Sequence, residues 1–258
     1  MCLMTFNWLN HPEYKLILVA NRDEFFDRPS APIQYWESGF YAGKDLRGGG
    51  TWMGIHPDGK FAAITNYRDI KNIKEGATTR GNLVKDFLEG NDDPYTYLER
   101  IKEGMNEYDG FNLIVSQDDQ MFYLSNYGKD IIEISPGMHS LSNILINSEW
   151  PKEKMAFQQL EDKINSSQLD PDDLLRLLKS EEILPDHLLP NTGATLAQER
   201  ALSAQFVRLA DYYGTVNTTA VLWSHDGKVV LKERSYFYKE EAEDNLILFN
   251  MNSVKQEL

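Results

Sequence analysis

The chain has 258 residues, 41% of them hydrophobic, enough to enclose a sizeable core. Forty acidic residues against 26 basic ones leave a net charge of −14, a field that repels nucleic-acid phosphate and anionic membrane surfaces. A single cysteine excludes a disulfide framework and Cys-rich zinc sites, and no run of about 18 apolar residues is present to span a bilayer.

Cys2–Leu9 alternates, with Phe6 and Trp8 on one side, and reads as a strand. His11-Pro12-Glu13 is a turn, and the β-branched run Tyr14–Asn21 is a second strand. Their hairpin brings Asn21-Arg22-Asp23-Glu24, at the end of the second strand, beside Cys2. Gly48-Gly49-Gly50-Thr51 is a flexible lead-in to another hairpin, Trp52–Ile55 and Phe61–Tyr67, turned by Pro57-Asp58-Gly59. Arg80–Leu88 places Leu83, Val84, Phe87 and Leu88 on one helical face. Asp93-Pro94 supplies an N-cap and a first-turn proline to a helix striped by Leu98, Ile101 and Met105. Strand character returns at Phe111–Val115, Met121–Ser125 and Ile131–Ile134. Trp150-Pro151 opens a helix through Ile164, and Asp170-Pro171 opens one over Asp173–Leu178. Residues 180–200 read as loop and Ala201–Ala210 as a helix. Thr215–Trp223 and Lys228–Tyr238 form a closing hairpin through Asp226-Gly227. Hairpins separated by helix blocks argue an antiparallel α+β architecture, with two sheets and helices on their outer faces. No repeat or linker divides the chain, so one domain over 1–258 is expected.

Cys2 directly follows the initiator. Aminopeptidase removes Met before a small residue, which leaves a thiol beside an α-amine titrating near ~7.7–8.0. One residue then carries both nucleophile and base. Arg22 can favour the thiolate and hold a substrate carbonyl or carboxylate. Asp23 can orient the amine through a charge-assisted hydrogen bond, and Asn21 or Glu24 can support either. The plain alternative is a charged, solvated turn after a strand; its coincidence with Cys2 weighs toward function. The start MCLMTFNWLN lacks the basic segment and apolar core of a secretory signal, so a cytoplasmic protein with a reduced thiol is expected.

Other signals are weaker. Gly48–Thr51 lacks the Lys-Ser/Thr ending of a P-loop and reads as a turn near the site. Ser224-His225-Asp226 sits in a tight turn that cannot form a relay. The five histidines show no metal spacing; His139, near Asn143, is the one to consider as a haem ligand, with the Cys2 thiolate as the other option. Trp52, Tyr67 and Phe111 are candidates for an apolar pocket, with plain core the commoner reading of strand aromatics, and Arg68 and Arg80 for contact with a phosphate or carboxylate, with surface pairing to the many acids the default.

The segments MCLMTFNW, LILVANRDEFFDRP, GGTWMGI, ITNYRD, TTRGNLVKDFL, YDGFNLIV, SLSN followed by EWPK, and YGT together resemble the NRDE family, also called the transport-and-Golgi-organisation family. The resemblance runs over nearly the whole chain. It implies a fold similar to N-terminal-nucleophile hydrolases, an αββα sandwich, and a link to lipid or acyl-coenzyme A metabolism and to haem handling. A looser resemblance to Cys-type acylases, such as bile-salt and penicillin V hydrolases, implies roles for single residues. Cys2 stands for the nucleophile, Arg22 and Asp23 for the Arg and Asp after the second strand, Asn66 for the oxyanion Asn and Asn143 for the second Asn. Arg and Asp are adjacent here, unlike in those acylases. Family members commonly carry Arg after YGT, where this chain has Val216, and Arg208 is the candidate replacement. Asn21, Glu24, Trp52, Tyr67, Arg68 and Arg208 are the substrate-contact candidates. The implied activity is hydrolysis of an amide or thioester in a small acylated or lipidic molecule, with no cofactor required. The alternatives are a carrier of haem or acyl-coenzyme A, and a scaffold whose site has decayed.

Overall fold

Strand alternation sorts the apolar side chains onto three interfaces. The computed structural model describes residues 2–166, 168–236 and 243–252. Its strands are β1 (Cys2–Trp8), β2 (Tyr14–Phe25), β3 (Ser30–Tyr35), β4 (Tyr41–Asp45), β5 (Met53–His56), β6 (Lys60–Asn66), β7 (Phe111–Gln117), β8 (Gln120–Ser125), β9 (Ile131–Glu133), β10 (Gly137–Leu141), β11 (Arg208–Leu209), β12 (Tyr213–Ser224), β13 (Lys228–Ser235) and β14 (Glu243–Asn250). The helices are α1 (Gly81–Glu89), α2 (Pro94–Gly104), α3 (Pro151–Ser166), α4 (Pro171–Arg176) and α5 (Leu196–Leu202). The first sheet runs β10-β1-β2-β12-β13-β14, with β11 on the end of β12; the second runs β3 to β9 in chain order. Neighbours in both sheets pair antiparallel.

Met4, Phe6, Trp8, Leu16 and Leu18 of the first sheet meet Met53, Ile55, Phe61 and Ile114 of the second. The alternate residues Leu3, Ile17 and Val19 face Ala156, Leu160, Leu174 and Leu175 of α3 and α4. On the far side, α1 and α2 bury Leu83, Val84, Phe87 and Leu98 against Ala62, Leu113 and Val115. The layers are therefore helix, sheet, sheet, helix, the α+β arrangement expected. No described helix is long and apolar enough to cross a membrane.

The helix starts follow their caps. Asp93 accepts from the Thr96 N–H and Asp170 from the Asp172 N–H, each before a proline. Four expectations change. β2 does not stop at Asn21 but runs on to Phe25, because β12 pairs with the polar stretch as far as Phe25–Tyr213. β3, β4, β10 and β14 carry little β-branched alternation and are held by their neighbours; β3 is an edge strand whose register slips between Ala31 and Gln34, around Pro32. The helix expected at 201–210 instead spans Leu196–Leu202, fixed by a Thr195–Gln198 capping box, and Arg208–Leu209 form β11. α4 ends early, and Leu178 has a φ of 56° that no helix continues. Phe237 and Tyr238 of the expected closing strand lie outside the described residues.

Gly43 in β4 lies against Trp52: a Cβ there would come within 2.3 Å of the indole. Gly43→Ala is expected to cost about 1–3 kcal/mol through overpacking, read as a lower urea midpoint. An unchanged midpoint would mean that Trp52 is not wedged as described.

Candidate active site

The register of the first hairpin builds the site. Cys2 pairs with Arg22 at the last position of the β1–β2 ladder among the described residues, so both side chains share the face between the sheets. Asp23 lies one residue beyond that pair. β12 supports the overhang, pairing Thr215 with Asp23 and Asn217 with Arg22, which leaves Val216 as an extra residue in a bulge.

Around Cys2 opens a cleft of about 260 Å³. Arg22, Asp23 and Glu24 line one side, Trp52, Ile64 and Asn66 another, and Thr78, Thr79, Arg80 and Gly81 the rim at the start of α1. The Arg22 guanidinium lies 4.2 Å from the Trp52 ring centre and 3.6 Å from the Glu24 carboxylate. Glu24 also reaches Arg28 at 3.7 Å, and Arg28 binds Asp45 at 2.6 Å. Asp45 accepts the backbone N–H groups of Arg47 and Gly48, which folds the glycine-rich stretch into a strap with Gly49 at a φ of 74°. Thr51 N–H donates to the Gly81 carbonyl at 3.2 Å. A Cβ on Gly50 would lie 2.4 Å from the Gly81 carbonyl carbon, so only glycine lets the strap meet α1 this closely.

The thiol sits in an electrostatic balance. Burial pushes the Cys2 pKa up, as does the Asp23 charge; the Arg22 guanidinium and the Asp23 backbone N–H oppose them. Asp23 is 2% exposed and accepts from Thr215 Oγ1 at 2.7 Å. Burial raises its pKa too, against the Lys152 ammonium, the Thr215 hydroxyl and the Arg68 guanidinium. Lys152 is itself buried, and desolvation with Arg68 nearby pulls it down to about 8. Arg68 pairs with Glu199 at 3.0 Å and donates to Asn143 Oδ1 at 3.3 Å. Asp23, Lys152, Arg68 and Glu199 thus form a buried charge cluster behind Cys2. Lys152 and Glu199 escaped the residue-level reading; the Lys of EWPK was in view only as part of a family match, and nothing local marks Glu199.

The other candidates separate. Asn66 lines the cleft, and its backbone carbonyl accepts from Asn143 Nδ2 at 3.0 Å. Asn143 does not line the cleft: it is buried behind Asn66 and also accepts from Ser142 Oγ, which in turn reaches the Cys2 carbonyl at 3.0 Å. Asn21 points to the helical layer, donating to the Leu178 and Gln205 carbonyls at 2.9 Å, and is a structural tie. Tyr67 stacks on Tyr127 with ring centres 3.8 Å apart, and Phe111 is buried against α1 and α2, so with Trp52 they form no common pocket. Arg68 serves the buried cluster and not the cleft. Arg208 is exposed and pairs with Glu181 at 2.7 Å, which removes it as the replacement Arg. Val216 lines a neighbouring cavity with Phe26, Ser30 and Tyr236. His139 has both ring nitrogens engaged, with the Ser135 carbonyl at 2.8 Å and the Asn147 amide at 3.0 Å, so it offers no ligand to haem. Among the described residues no cluster of His, Cys, Asp or Glu is placed to hold a metal. The expected loss of Met1 concerns a residue outside those described. Arg28, Asp45, Asp109, Thr78, Thr79 and Gly81 are cleft residues that the sequence reading had not singled out, and Arg80, read there as a possible anion contact, lines the cleft with them.

Comparison with known proteins gives two kinds of match. Among solved structures, the chain is similar to a Caenorhabditis elegans N-acylethanolamine-hydrolyzing acid amidase ortholog, with a TM-score of 0.45 and 10% identity over 86% of this chain and 92% of that one. It is also similar to a mutant conjugated bile acid hydrolase from Clostridium perfringens, with a TM-score of 0.41 and 11% identity over 96% and 97%. Both likenesses are low, and no residue role here rests on them. The sequence matches are closer. A mouse Transport and Golgi organization 2 homolog is 34% identical, covering 98% of this chain and 100% of its own length. The human homolog is 35% identical over 93% and 95%, and the Drosophila melanogaster protein 28% over 89% and 90%. The family model described as Transport and Golgi organisation 2 matches residues 1–238. With that match and those relatives, the chain belongs to the Transport and Golgi organisation 2 family.

Proposed function

We propose that the protein is an N-terminal-nucleophile hydrolase of an amide or thioester in a small acylated molecule, with Cys2 as nucleophile. The observation that carries this reading is the hairpin register: it sets Cys2 opposite Arg22, in an open cleft, with Asp23 one residue further along β2. Once Met1 is removed, the new α-amine belongs at that overhang, where the Asp23 carboxylate can hold it. Asp23 suits this role better than Glu24, which is engaged by Arg22 and Arg28.

The chemistry then runs in four moves. The amine accepts the thiol proton, and Sγ bonds to the carbonyl carbon as the π pair moves to oxygen. The Asn66 side-chain amide donates to that oxyanion. Collapse breaks the C–N or C–S bond, and the leaving group takes the proton from the ammonium. Water then attacks the Cys2 thioester, releases the acid and restores the thiol.

One observation favours a second reading. Burial raises the thiol pKa, so a chain that keeps Met1 holds a weak nucleophile. In that state the cleft would bind an acyl-coenzyme A-type ligand without cleaving it. Haem has less support as cargo, since the cleft is small and polar and His139 is engaged elsewhere.

Intact mass after incubation with an acyl-coenzyme A panel decides between the two. The hydrolase reading expects loss of Met1 and an acyl increment on Cys2 that Cys2→Ser lacks. A chain that keeps Met1 and binds a thioester without an adduct is the carrier. Once a substrate is in hand, Asn66→Ala is expected to lower kcat roughly 10²–10³-fold with little change in KM, as for loss of an oxyanion donor. In a chain that keeps Met1, the iodoacetamide rate should inflect above the ordinary thiol range. Removing the cation that favours the thiolate, by Arg22→Gln, should push that inflection higher still; a fall would contradict the electrostatics described.

A further inference from the structure

Three guanidiniums line the Cys2 cleft, and two are already neutralised. Arg22 lies beside Glu24 and over Trp52, and Arg28 is shared by Asp45 and Glu24. Arg80 differs. Its one hydrogen bond runs from Nη1 to the Gly110 carbonyl at 2.9 Å, and among the described residues no carboxylate is close enough to pair with it. A guanidinium offers five N–H donors, so most of this one is uncommitted. The group is half-buried in the cleft wall, and desolvation lowers its pKa against the Asp109 and Glu24 carboxylates, which line the same cleft without pairing with it. A partly desolvated guanidinium that no ion pair holds gains from an anion brought to it.

The surroundings suit an anion. Arg80 immediately precedes α1, and Thr78, Thr79 and Gly81 line the cleft with it. The positive end of a nine-residue helix therefore opens on the same cleft wall as the guanidinium, with two threonines beside it in the chain. The strap contact between Gly50 and Gly81 fixes that helix start against the cleft wall. Cys2 and Arg80 line the same cleft.

We propose that Arg80 is a specificity residue that binds an anionic group of the ligand, a carboxylate or a phosphate, next to the carbonyl presented to Cys2. The carbonyl is that of the hydrolase reading, on which the assignment rests for its chemistry. The substrate class becomes a short amide or thioester with an acidic head. A neutral analogue would leave the guanidinium desolvated and unmatched, which is how a polar site rejects it.

The single thiol supplies a test that needs no turnover. Cys2 is alkylated with iodoacetate, an anion, and with iodoacetamide, its neutral counterpart, and the ratio of the two rates is read. Any change in thiol pKa cancels in that ratio. Arg80→Gln is expected to lower the ratio about tenfold, the size of one charge-assisted contact, while Arg80→Lys retains most of it. Arg100→Gln, a surface change outside the cleft, should leave it unaltered. Should Arg80→Gln fail to fold, the wild-type chain still answers: glutarate or inorganic phosphate should slow alkylation where glutaramide does not. Protection by glutarate alone assigns a carboxylate, and by phosphate alone a phosphate ester. An unchanged ratio in folded Arg80→Gln, or no protection by either anion, overturns the proposal. A chain without hydrolase activity can pass this test and a hydrolase can fail it, so the two readings fall separately.

Discussion

Everything at the site follows from two strands of unequal length. Among the described residues β1 ends its ladder at Cys2, while β2 continues through Asp23, Glu24 and Phe25. A strand that outruns its partner exposes backbone groups, and these need another neighbour. β12 provides it, with a bulge at Val216 that absorbs the mismatch in register. The result is a notch in an otherwise continuous sheet, with the thiol on its edge and a carboxylate at its back.

That notch is bounded by charge on both faces. On the side between the sheets, Arg22, Glu24, Arg28 and Asp45 form a chain of ion pairs that ends at the glycine-rich strap. On the helical side, Asp23, Lys152, Arg68 and Glu199 are buried together. Pairs removed from water are weak sources of stability, because desolvation offsets much of their attraction. Their value here is placement. Asn143 links Arg68 to the Asn66 carbonyl, and Ser142 links Asn143 to the Cys2 carbonyl, so the buried cluster and the cleft are joined by a continuous hydrogen-bonded path.

The sequence made the hairpins and most helices legible because local rules govern them. Alternation set β1 and the first part of β2, and Asp-Pro pairs set the starts of α2 and α4. The nearness of Cys2 and Arg22 also followed, since a short turn fixes the register of its hairpin. What failed was non-local. The polar end of β2 is a strand only because β12 lies beside it, and β10 only because β1 does. Arg68, after a strand, and Arg80, at a helix start, read alike in sequence as possible anion contacts. Burial separated them, one held by Glu199 and the other facing the cleft. Lys152 acts on Asp23, and Glu199 on Arg68, across more than 120 residues of chain, a distance that no local pattern spans.

The close approach of Gly50 to Gly81 has a bearing on how the cleft meets a visitor. Where two backbones touch, neither can swing aside without losing the contact, so the rim holds its shape before anything arrives. A preformed wall spends little entropy on ordering at encounter, and it yields little to an ill-fitting guest. Under the proposed reading, selection is a matter of what the opening already refuses.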